Sequence, residues 1–71
     1  MAILTRRVLI STPFSSDLLQ ITVTNNNGVV IKSISTWDDQ YDLNLRDLPP
    51  GDYLITVQKG ETIKNRKVLL K

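Results

Sequence analysis

The chain has 71 residues, nine Lys and Arg against seven Asp and Glu, a net charge of +2, and neither histidine nor cysteine. At this length one small domain spanning residues 1–71 is expected, without a second lobe or a deep enclosed cleft. Hydrophobic residues make up 41% of the chain, which is enough for a core. The lack of His and Cys removes Ser-His-Asp and Cys-His catalysis, haem ligation, the usual zinc sites and any disulfide framework. Basic and acidic residues are interspersed, which fits a solvated surface better than a nucleic-acid footprint. No segment approaches the roughly 18 apolar residues of a membrane helix. The start Met1-Ala2-Ile3-Leu4-Thr5-Arg6-Arg7 places its charges after its apolar residues. That is the reverse of a secretory signal, so a cytoplasmic protein or the mature part of an exported one is expected.

In chain order the sequence predicts strands and turns. The first strand is Arg7 to Ile10, closed by the break Ser11-Thr12-Pro13-Phe14-Ser15-Ser16-Asp17. Leu18 to Thr24 alternates, with Leu19, Ile21 and Val23 on one face and Gln20, Thr22 and Thr24 on the other; a period of two marks a half-buried strand. Asn27-Gly28 between apolar runs predicts a two-residue type I′ hairpin loop. The strand Val29 to Ser35 begins with three adjacent apolar residues, which calls for burial on both faces or for a bulge. Thr36 to Gln40 is a polar loop. Tyr41 to Leu45 alternates again. Pro50-Gly51 suits the centre of a type II turn. Asp52 to Gln58 places Tyr53, Ile55 and Val57 on one face, Lys59-Gly60 turns the chain, and Thr62 to Leu70 is the last strand. No segment has a helical period, and the breaks are too short for crossover helices. The expected fold is an all-β, antiparallel, Ig-like sandwich of six or seven strands.

Candidate chemistry is sparse. Asp38, Asp39 and Asp42 cluster around the Trp37 loop, and oxygen-rich loops attract calcium; without EF-hand spacing or its glycine, a solvated polar loop is the preferred reading. Paired carboxylates can hydrolyse glycosides, but only with a desolvating cleft, so no enzyme is expected, and no cofactor or metal. Trp37 and Tyr41 beside Asp38 and Asp39 could form a sugar-binding platform, making a stand-alone secreted module for carbohydrate or protein the alternative function. Trp37 capping the end of the core is the preferred reading, and Tyr53 is assigned to the core. Lys64, Arg66, Lys67 and Lys71 make the last strand basic. No aromatic lies among them for base stacking, so they fit a terminal strand guarded by lysines.

The motifs converge on one resemblance. Thr12-Pro13-Phe14-Ser15, Asn25-Asn26-Asn27-Gly28-Val29-Val30-Ile31, Leu45-Arg46-Asp47-Leu48-Pro49-Pro50-Gly51-Asp52-Tyr53 and Lys67-Val68-Leu69-Leu70-Lys71 follow one another from about residue 10 to 71. In this order they resemble the type A C-terminal sorting domain of proteins exported by the type IX secretion system. Thr12 stands where asparagine is usual in that family. The resemblance implies a non-catalytic tag that an outer-membrane translocon engages and a sortase-like protease removes, on a protein that is secreted or held at the cell surface through the periplasm. It further implies that Pro13, Gly28, Pro49, Gly51 and Tyr53 shape the motifs, and that Lys67 and Lys71 are the exposed contacts. Ala2 to Leu9 is expected to be the tail of a linker or an extra strand.

Overall fold

The computed structural model describes residues 2–3, 6–13 and 16–71. Met1, Leu4 and Thr5 of the first stretch, and Phe14 and Ser15 of the Pro13 motif, lie outside the described residues. Among the described residues the strands are β1 (Ala2–Ile3), β2 (Arg7–Ser11), β3 (Leu19–Asn25), β4 (Val30–Thr36), β5 (Gln40–Asn44), β6 (Gly51–Lys59) and β7 (Thr62–Leu70), and there is no helix. They form a five-stranded sheet in the order β1-β7-β6-β3-β4 and a two-stranded sheet of β2 and β5. All pairings are antiparallel except the short β1, which lies parallel to the end of β7 with Ala2 opposite Leu69. The extra strand is thus present, at one edge of an all-β sandwich.

The alternation expected from sequence builds the core. Leu19, Ile21 and Val23 of β3 are fully buried, and Tyr53 and Ile55 of β6 and Val68 and Leu70 of β7 extend that layer. Val8 and Ile10 of β2, with Leu43 and Leu45 in and just after β5, face them from the small sheet. Each fully buried Leu or Ile contributes roughly 1.5–3 kcal/mol relative to exposure.

Two turns differ from expectation. The β3–β4 connection is not a two-residue type I′ loop. Asn25 N–H donates to Val29 O and Gly28 N–H donates to Asn25 O, which leaves Asn26, Asn27 and Gly28 as the loop. Gly28 alone has positive φ, at 81°, as in a type I turn followed by a G1 bulge. The cause is Asn25, whose Oδ1 accepts from the N–H groups of Asn27 and Val29 at 2.9 and 3.0 Å and fixes the type I geometry. A second bulge follows. Val23 pairs with Lys32 but Thr24 pairs with Val30, so Ile31 is the extra residue. Val29, Val30 and Ile31 are all exposed rather than buried on both faces, because β4 is the sheet edge.

Pro50-Gly51 is not the centre of a type II turn. The reverse turn closes earlier, with Leu48 N–H donating to Leu45 O around Arg46-Asp47. Gly51 has already entered β6 opposite Leu70, with φ at 152° rather than the roughly 80° of a type II turn.

Candidate functional site

The basic last strand divides into two faces. Its even-numbered residues share the side of the buried Val68 and Leu70, so Lys64 and Arg66 point toward the small-sheet layer, yet both are exposed. Lys67 is exposed on the opposite face, opposite Leu54 across the ladder, and Lys71 is exposed just after the strand. Among the described residues none of the four side chains has a hydrogen-bond or ion-pair partner, so their charges face solvent. The backbone under Lys71 is anchored. Arg6, at φ 58°, donates from its guanidinium to the main-chain oxygens of Leu48 and Lys71.

The corner motif is built as a tyrosine corner. Tyr53, 7% exposed, donates its phenolic hydroxyl to Pro49 O at 2.6 Å, which ties the start of β6 to the segment leading into it. Pro49 is thereby held against the first residues of β6, where Gly51 starts the strand, and Gly28 sits at the tip of the β3–β4 hairpin at the same end of the large sheet, since Asn25 pairs with Tyr53.

The Pro13 motif gains a partner that the sequence reading did not identify. Lys59, at the end of β6, has a side chain only 6% exposed. Its ammonium donates to Thr12 Oγ1 and Pro13 O, both at 3.1 Å, and pairs with the Asp39 carboxylate. Thr12 in turn donates its N–H and its hydroxyl to Asp39 O, at 2.9 and 2.7 Å. One buried ammonium therefore joins β6, the segment after β2 and the loop before β5. A desolvated charge is tolerated because its donors are used. The signal was in the register: Lys59 falls on the inward face with Tyr53, Ile55 and Val57.

The Trp37 loop does not assemble a platform. Trp37 is 71% exposed, so it does not cap the core as preferred from sequence; β4 ends before it and no strand covers it. Tyr41 turns the other way and packs against the core. Asp38 is held locally by Thr36, Asp39 is committed to Lys59, and Asp42 pairs with Arg7. Among the described residues no group of three or more acidic side chains converges, and no helix is long and apolar enough to cross a membrane.

One carboxyl group is perturbed. The Lys32 ammonium, hydrogen-bonded to Asp47 Oδ1 at 3.2 Å, holds the Asp47 carboxyl below its ordinary value of 3.8, helped by the residue's own main-chain N–H.

Comparison with characterised proteins and with solved structures gives no match. Comparison with protein families matches residues 5–71, essentially every element of the sandwich, to the secretion system C-terminal sorting domain. That family's role is sorting rather than catalysis, and it marks proteins exported by the type IX system to the cell surface or the medium. The chain belongs to the family of type IX secretion system C-terminal sorting domains.

Proposed function

We propose that the folded sandwich is the export tag itself, engaged by the outer-membrane translocon and then removed by a sortase-like protease. The observation that carries this reading is the family match across residues 5–71, which spans β2 to β7 and not only the last strand. Lys67 and Lys71 are the proposed contacts, being exposed, unpaired cations next to an anchored backbone. The test is export of a fluorescent protein with an inner-membrane signal peptide in front and residues 2–71 behind, in a host with the type IX machinery. Translocon-dependent reporter on the surface or in the medium is expected. Periplasmic retention of a folded fusion would overturn the reading. Lys67→Ala combined with Lys71→Ala should leave unfolding unchanged and reduce export; normal export would remove those lysines from recognition.

A second reading has one observation in its favour, the exposure of Trp37 beside Asp38. A secreted binding module for carbohydrate or protein that uses this loop would lose its ligand in Trp37→Ala while unfolding normally, since exposed side chains contribute little to stability.

A further inference from the structure

The small sheet has two strands against five in the large one, and this leaves β2 with a free edge. Leu45 N–H donates to Arg6 O and Thr12 N–H donates to Asp39 O, so residues of even number in this stretch face β5. Main-chain groups alternate between the edges of a strand. The N–H and C=O groups of Arg7, Leu9 and Ser11 therefore point away from β5, and among the described residues no strand pairs with them. Beneath this edge the sandwich has a floor but no roof. A groove of about 890 Å³ runs between Leu9 to Pro13 on one side and the inward faces of β6 and β7 on the other. Its floor is formed by Ile55 and Val57 beside Arg66 and Lys64, which pair with them across the β6–β7 ladder.

We propose that this groove receives one extended polypeptide segment, added to the edge of β2, with carboxylates at alternate positions over Lys64 and Arg66. The backbone supplies the affinity through the unpaired groups of Arg7, Leu9 and Ser11, as in other strand additions. The side chains supply the specificity. Lys64 and Arg66 are two residues apart on a strand, about 7 Å, which is the spacing of same-face side chains on any strand laid above them. Their unpaired cations call for an acid-x-acid pattern, while the half-buried Val57 calls for an apolar residue beside it. A second copy of this chain does not fit. Docking through its own β2, it would bring its own overhanging β7 into the space that β6 and β7 already occupy. The proposal names a docking surface for the export reading and rests on that reading only for the partner's identity.

The test uses the 15N-labelled 71-residue chain and an acetylated nonapeptide, with Thr on the outward positions and Glu, Glu, Val and Val on the inward ones. Binding should shift the amide resonances of Arg7, Leu9 and Ser11, and the peptide with Lys for Glu should not bind. Lys64→Glu with Arg66→Glu should weaken the Glu peptide about tenfold or more and admit the Lys peptide. Leu9→Pro removes an outward N–H without touching the β2–β5 ladder and should abolish binding. If Leu9→Pro fails to fold, the charge-reversal pair decides, since both of those side chains are exposed. No binding at millimolar peptide, shifts confined to β4, or equal binding to the charge-reversed domain would each overturn the proposal. Because binding is measured on the isolated domain, it stands or falls separately from reporter export.

Discussion

The two flanks of the sandwich solve the same problem differently. Both end in strands with an unpaired edge, and exposed edges invite pairing with other chains. On the β4–β5 flank, Lys32 reaches from the edge strand of one sheet to the other. Its ammonium donates to Asn44 O, on the outer edge of β5, and to Asp47. The Ile31 bulge interrupts the pairing of β4 with β3 just beside it. On the β2–β7 flank Arg6 reaches Lys71 O at one end, but along the middle nothing crosses: Lys64 and Arg66 point inward and bond to nothing among the described residues. The same residue type therefore closes one flank and leaves the other open, according to whether an acceptor lies within reach. Closure on the open side is confined to its ends, the Arg6–Lys71 contact and the pole where Lys59 holds Thr12, Pro13 and Asp39.

That pole gives the largest expected effect. Lys59→Met keeps the buried stem but leaves Asp39 without its cation and two oxygen acceptors without a donor. A loss of about 2 kcal/mol is expected, below the range for a fully buried pair because Asp39 is partly exposed and rehydrates. It should appear as a lower urea midpoint at unchanged slope. Lys59→Met with Asp39→Leu should recover at least half of the loss, since replacing both partners removes the unpaired charge. A double variant no better than the single one would show that the pole is held by Thr12 rather than by the ion pair.

The hairpin tip of the opposite flank should respond less. Gly28→Ala forces a side chain to φ 81° with nothing within 4 Å to clash, so the cost is conformational, about 1 kcal/mol. Gly28→Asn should cost less, because Asn tolerates left-handed backbone. Equal costs for the two, by thermal unfolding, would argue against the three-residue loop.

Strand positions were legible because they depend on a period of two that each segment carries alone: the strands expected from Arg7 to Leu70 match β2 to β7 to within a residue at each end. What depends on a second segment was not. Asn27-Gly28 carries the local signal of a type I′ loop, but the Asn25 side chain competes for the same amides; Asn at the first and Gly at the fourth position of a type I turn was the available clue. Trp37 was assigned to the core by its type, whereas its burial depends on which strands cover the loop. The inward position of Lys59 was visible in the alternation of β6, but its partners lie 20 and 47 residues away. The open groove was invisible, because strand order is a property of the sheet and not of any strand.

The smallest expected effect sharpens the comparison at the closed flank. Lys32→Met removes a partly exposed ammonium from Asn44 O and Asp47, and a loss of about 0.5 kcal/mol is expected at neutral pH. Its pH dependence separates the two bonds. The folded Asp47 carboxyl titrates below its ordinary value, so its contribution is fully present above that value and is lost as pH falls through the lowered folded one. The difference between wild type and Lys32→Met should hold steady from neutral pH to about 5 and shrink as pH drops below about 4. It should not vanish there, because the Asn44 carbonyl does not titrate and still accepts from Lys32. Asp47→Asn should flatten this dependence. A difference that stays constant to pH 3 would assign closure of the flank to the carbonyl alone. One that falls to zero would assign it to the carboxylate, and Lys32 would then stabilise the closed flank only as a surface ion pair.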